Sequence, residues 1–242
     1  MKMGADQNID LRASIASALE WWHDVGVDCE IDDAPRDWLA RIPVAEKMPG
    51  VVADAPLAAP KLPETLAEFV SWRSGSDIPE AGWPGRALPT QGDIASGLMI
   101  VVDMPDREDD AAGGLLAGAA GRLFDRMLAA IGRDRQSVYL TALAVKRPPA
   151  ARVTEDVAQS LEALLRHHVA LAAPKRLLAL GNAASRAITG MDVADARGGL
   201  RGVNYEGGTV EVVASFHPRF LLERPAAKAD AWRDLQLLIE GL

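Results

Sequence analysis

From residue 97 onward the chain alternates short apolar runs with longer segments of helical period. The apolar runs are "GLMIVVD" (97–103), "SVYLTALAV" (137–145), "KRLLALG" (175–181) and "TVEVVAS" (209–215). Between them, "AGAAGRLFDRMLAAIG" places Leu116, Ala120, Leu123/Phe124, Met127 and Ile131 on one helical face. "TEDVAQSLEALLRHHVALAAP" predicts a second helix, with Thr154 as N-cap and acids in its first turn. A short helix from Asn182 to Ile188 and a closing helix in "AAKADAWRDLQLLIEGL" complete the series. Continuous apolar strands separated by helices mean a parallel sheet covered on both faces. The pattern predicts a three-layer α/β/α fold around a central four-stranded, mainly parallel sheet.

The N-terminal part reads differently. "DLRASIASALEWW" puts Leu11, Ile15, Leu19 and Trp22 on one helical face, behind Asp10 as a candidate N-cap. Residues 44–63 are rich in Pro and Ala without a period, and "GSDIPEAGWPGRALPTQGD" adds further breaks. The expected organisation is an N-terminal helix plus a Pro/Ala-rich arm over residues 1–95, packing on an α/β domain over 96–242.

In open parallel sheets, ligands bind outside the carboxyl ends of the strands. Those ends hold Asp103 to Asp110, Ala142 to Arg152, Gly181-Asn182 and Ser215 to Arg219. In "DMPDREDD" the Asp103 carboxylate can orient or activate a water; the loop also reads as a solvated acidic cap. "VKRPPAAR", with Arg133 and Arg135 upstream, is either a phosphate-contacting stretch or a solvated loop. "GGLLAGAAG" lacks the spacing and the lysine of a phosphate loop, so tight packing of a helix start explains it better. His217, fixed ahead of Pro218, is the sharpest feature, and reads as a catalytic group or an ordinary loop residue. His167 and His168 have no cysteine or acid at metal spacing, so no metal is expected.

Composition narrows the picture. The 242 residues suffice for one sizeable α/β domain, and 49% hydrophobic with 25% charged residues is ordinary for a globular chain. Cys29 is the single cysteine, which excludes an intramolecular disulfide and any all-cysteine zinc or iron–sulfur site. A formal net charge of −8 argues against polyanion binding by the whole surface, but leaves room for a local basic face. "MKMGADQNIDLRAS" lacks an apolar signal core and no run is long enough to span a bilayer, so no membrane association and a cytoplasmic location are expected.

Taken in order, "AGRLFDRMLAAIG", "SVYLTALAVKRPP", "APKRLLALGNAASRAI", "GLRG" and "SFHPRFLLERPAAKADAWRDL" resemble the uracil-DNA glycosylase superfamily, in the branch that usually carries an iron–sulfur cluster. The resemblance covers about residues 97 to 240, and more loosely "ALEWWHDVGVD". It implies a DNA base-excision N-glycosylase, with Asp103 at a motif glutamate and His217-Pro218 as the histidine motif. It places Met104, Pro105, Leu116 and Ala142 in the base pocket, with Leu116 where a stacking phenylalanine stands and Ala142 where an asparagine reads uracil. On a DNA ligand, phosphate contacts are expected from Lys146 and Arg147 of the basic stretch and from Arg219, which replaces a small residue of the family motif, while Asp106 stands at a motif glycine.

The four cluster cysteines are missing, Lys146 standing at one of them, so no cofactor is expected. The implied partner is single- or double-stranded DNA containing uracil or a damaged base. With its base-reading residues altered, the chain reads as a glycosylase of altered or reduced specificity. The alternative is an inactive DNA-binding or protein-interaction module that keeps the fold. A monomer is expected, with a protein partner possible through the N-terminal region.

Overall fold

The computed structural model describes residues 62–149 and 152–240. The expected helix around Leu11–Trp22, Cys29 and the arm up to residue 61 lie outside the described residues. Six strands form one sheet: β1 (Gln91–Gly92), β2 (Leu98–Val102), β3 (Tyr139–Ala142), β4 (Arg176–Leu180), β5 (Arg201–Tyr205) and β6 (Gly208–Ser215). Their order is β1-β3-β2-β4-β6-β5. The four apolar runs supply β2, β3, β4 and β6, which pair in parallel. Every residue of β2, β3 and β4 is buried, which is why these runs show no alternation.

The two strands beyond the expected four are antiparallel edges, β1 on β3 and β5 on β6. Neither carries an apolar run. β1 is two residues long, and β5 reads "RGVNY", with half-buried and exposed positions in turn.

Helices cover both faces. In chain order they are α1 (Leu66–Arg73), α2 (Asp109–Ala112), α3 (Gly118–Ala130), α4 (Glu155–Ala172), α5 (Asn182–Thr189), α6 (Val193–Ala196), α7 (Pro218–Glu223) and α8 (Lys228–Ile239). Thr154 takes the extended backbone of an N-cap before α4, but its side chain makes no capping bond. Glu155 and Asp156 in the first turn complement the helix dipole instead. α3 begins at Gly118, so Leu116 falls in the loop before it. No helix among the described residues is long and apolar enough to cross a membrane.

The pleat of β2 divides the core. Leu98, Ile100 and Val102 join Phe124, Leu128 and Leu235 from α3 and α8. Met99 and Val101 face the other way, towards Leu161, Leu165 and Val169 of α4 and Ile188 of α5. On this second side the His168 Nε2 lies 2.9 Å from the Tyr139 hydroxyl, and the Phe69 ring of α1 packs 5.0 Å from the His168 ring. His167 Nε2 lies 2.8 Å from the carbonyl of Pro63. Both histidines are thus absorbed by packing.

Candidate active site

Asp103 and His217 follow β2 and β6, the two strands on either side of β4. Past β2 the backbone ladder continues, with the Leu143 amide on the Val102 carbonyl (2.9 Å) and the Ala144 amide on the Asp103 carbonyl (3.1 Å). The Asp103 side chain then turns towards α5, where its Oδ1 accepts the Ala184 amide at 2.7 Å. Gly181 makes that approach possible: at φ 107° it carries no Cβ where the Asp103 carboxylate sits. Burial pushes the Asp103 carboxyl up to about 6, against the opposing pull of the Ala184 and Ala183 amides and of Arg219 and Arg186.

Gly181→Ala is therefore expected to destabilise the fold by about 1–3 kcal/mol from backbone strain alone. The alanine methyl also displaces the Asp103 carboxylate. Urea unfolding checks it: an unchanged midpoint contradicts the packing described.

His217 occupies the N-cap of α7, with Pro218 at the first helical position, where a missing N–H is harmless. Its Nδ1 accepts the Arg219 amide at 3.2 Å. An accepting Nδ1 leaves the proton of the neutral ring on Nε2. Burial pushes the ring down to about 4, with Arg219 adding to the effect and Asp109 opposing it. At neutral pH His217 is a neutral hydrogen-bond donor.

The turn that carries His217 is held from below. Ser215 Oγ donates to Asp234 at 2.7 Å, and Arg197 donates to both oxygens of that buried carboxylate at 3.2 Å. The Arg197 guanidinium also covers the Phe216 ring, which stacks on Phe220 with 4.9 Å between centroids.

Asp109, which the sequence does not single out, organises the loop between β2 and α3. Only 1% exposed, it accepts the amides of Asp106 (2.8 Å), Leu116 (3.0 Å) and Ala117 (2.7 Å). Leu116 is held in the left-handed region at φ 54°, which costs an L-residue roughly 1–2 kcal/mol. Arg135 supports it by donating to the Leu116 carbonyl at 2.6 Å.

The residues expected around a base pack in different surroundings. Leu116 is 1% exposed and lies with Ala142 in the core on the α3 side. Met104 packs in the opposite core layer. Pro105 lines a cavity of about 440 Å³ with Arg86, Arg107, Arg147, Asp106 and Asp110. A second cavity, about 390 Å³, is lined by Asp106, Arg107, Arg147, Arg219, Ala117 and Leu222, among others. Lys146 lines neither; its Nζ donates to the carbonyls of Ala81 (3.2 Å) and Trp83 (3.4 Å).

A family description, the Uracil DNA glycosylase superfamily, matches residues 89–236. The chain belongs to that superfamily. It is 31% identical over 166 residues to a type-4 uracil-DNA glycosylase of Pyrobaculum aerophilum, covering 64% of this chain and 83% of the relative. It is 30% identical over 161 residues to one of Archaeoglobus fulgidus, covering 63% and 80%. A third, from Thermotoga maritima, is 28% identical over 134 residues, covering 54% and 69%.

The donor set of this glycosylase-like protein does not fit the iron–sulfur cluster of its branch. Such clusters are held by four cysteine thiolates, and the chain has one cysteine. Among the described residues no group of three or more His, Cys, Asp or Glu side chains is arranged for a metal.

The buried titrating groups give a pH dependence. The folded values of His168 and His217, about 3 and about 4, lie below the ordinary 6.5, so their stabilisation is present above pH 6.5 and lost as pH falls. Asp103, raised to about 6, acts oppositely and loses stabilisation as pH rises from 3.8. Near pH 5 the two histidines act together against the one carboxyl, so stability rises with pH there. Urea titrations between pH 4.5 and 6 measure the slope, which His168→Gln should flatten.

Proposed function

We propose that this protein is a DNA base-excision N-glycosylase of altered or reduced specificity, acting on single- or double-stranded DNA that carries uracil or a damaged base. The observation that carries the reading is His217, neutral at physiological pH, with Nδ1 occupied by the Arg219 amide and the proton therefore on Nε2. Cleaving an N-glycosidic bond leaves negative charge on the departing base. A fixed neutral donor at a base carbonyl oxygen stabilises that anion without first losing a proton. Asp103, ionised at neutral pH, contributes negative charge on the same sheet edge, opposite in sign to the developing sugar cation.

The reduced specificity rests on Ala142 and Leu116. A methyl group at the end of β3 makes no hydrogen bond to a base edge, where a bidentate reader supplies about 1–3 kcal/mol of discrimination. Leu116 is buried and presents no planar face for stacking. Phosphate contacts fall to Arg147 and Arg219, which line the open cavities.

A second reading, DNA binding without turnover, is favoured by the Ala184 amide on Asp103 Oδ1, which holds the carboxylate against α5. One experiment separates the two. The protein is incubated with single- and double-stranded oligonucleotides carrying uracil or modified bases, and abasic sites are then cleaved with alkali. Strand cleavage that needs His217 supports the glycosylase. Binding with no cleavage across the panel sinks it in favour of the second reading.

A further inference from the structure

Arg219 and Asp106 are two charges that the motif loops carry in place of a small residue and a glycine, and the structure joins them. The Arg219 guanidinium forms an ion pair with the Asp106 carboxylate, linking the loop after β2 to the first turn of α7. β4 lies between the strands that feed these two loops, so the pair spans the sheet edge across the end of β4. Gly181 and the Asp103 carboxylate sit at that end. We infer that this ion pair is a latch that shuts the edge in the free protein, and that a nucleic-acid phosphate opens it by taking over the Arg219 guanidinium. The inference rests on DNA being the ligand of the site.

The two halves of the latch differ in exposure and anchoring. The Asp106 side chain is 14% exposed, and its amide is fixed on Asp109. Arg147 stands 4.0 Å from the same carboxylate and donates to the Pro105 carbonyl at 2.9 Å, so it is anchored to the backbone. The Arg219 side chain is 49% exposed, and among the described residues its guanidinium meets one carboxylate, that of Asp106. Arg219 is the half that swings.

The surroundings fit a phosphate. The cavities of about 440 and 390 Å³ share Asp106, Arg107 and Arg147, so Asp106 lines both. An internal carboxylate thus occupies the arginines that an anionic ligand needs. A phosphate oxygen pair matches a guanidinium fork at least as well as a carboxylate does. A half-exposed ion pair contributes little, so a polyanion can displace it. Moving Arg219 also removes a positive charge that holds down the proton affinity of both Asp103 and His217.

The test is fluorescence anisotropy of a labelled single-stranded oligonucleotide at low salt. The proteins are wild type, Asp106→Asn, Arg219→Gln, the double variant, and Glu108→Gln as a control. Glu108 lines the second cavity, so its variant removes the same charge nearby. Asp106→Asn is expected to bind roughly three- to fivefold tighter, the factor carried by a half-exposed pair. Arg219→Gln should bind more weakly than wild type, and the double variant should match it, because the gain needs the freed guanidinium.

Equal gains from Asp106→Asn and Glu108→Gln overturn the latch, since a general charge effect then explains both. A gain that survives in the double variant overturns it too, as does the absence of binding by every protein. Base release, measured separately, judges the glycosylase reading. Its absence alongside the expected binding pattern removes that reading and leaves the latch standing.

Discussion

Glu80→Ala is expected to destabilise the protein by about 3–5 kcal/mol, the cost of leaving one member of a buried ion pair alone. Glu80 is 0% exposed and receives both arms of Arg73, at 2.7 and 2.8 Å. It also accepts the Val145 amide at 3.1 Å, while Arg73 donates to the Leu143 carbonyl at 2.9 Å. The pair therefore straps α1 and the following loop to the segment that leaves β3, next to the Lys146 contacts with Ala81 and Trp83. Alanine strands the Arg73 charge in the interior and orphans the Val145 amide. Replacing the pair together, as Arg73→Met with Glu80→Leu, should lose less, because no uncompensated charge is left even though the Val145 amide and the Leu143 carbonyl lose their partners. Urea unfolding of both proteins decides the matter. A loss below about 1 kcal/mol for Glu80→Ala contradicts the burial described.

That strap was not legible in the sequence, and the reason is physical. Glu80 sits in "GSDIPEAGWPGRALPTQGD", where no period says which residue turns inward, and its contact at Val145 is 65 residues away. The central strands were legible because burial on both faces leaves an uninterrupted apolar run, as in Leu98–Val102. The edge strands β1 and β5 escaped because an edge needs no such run.

At the site the same divide holds. A strand end followed by proline marks the positions of Asp103 and His217, but not where their side chains point. Side-chain parity along β2 puts Met104 with Val102, yet the strand ends at Val102 and Met104 packs in the opposite layer. Asp109 is one acid in a run of five residues holding four, and only the closed loop shows which one accepts the three amides.

His217→Ala is expected to lower the rate of base release by about 10²–10³, the loss that follows removal of one fixed donor to a developing oxyanion. Its pH signature separates this role from its competitors. With the His217 ring pushed down to about 4, it remains a neutral donor from pH 5 to 8 and contributes no titration to the rate there. Asp103, at about 6, does titrate in that window, so a wild-type rate that needs the ionised carboxylate rises through pH 6 and then levels. In His217→Ala the rate should drop at every pH and keep that acid limb. In Asp103→Asn the limb should vanish while the His217 contribution stays. A histidine acting instead as a charged acid cancels the Asp103 limb, giving a wild-type rate that is flat up to pH 6 and falls above it, with a His217→Ala loss that shrinks towards neutrality. Single-turnover rates on one uracil-containing oligonucleotide, taken at half-unit steps from pH 5 to 8, separate the two, because only the neutral donor leaves the mutant and wild-type profiles parallel.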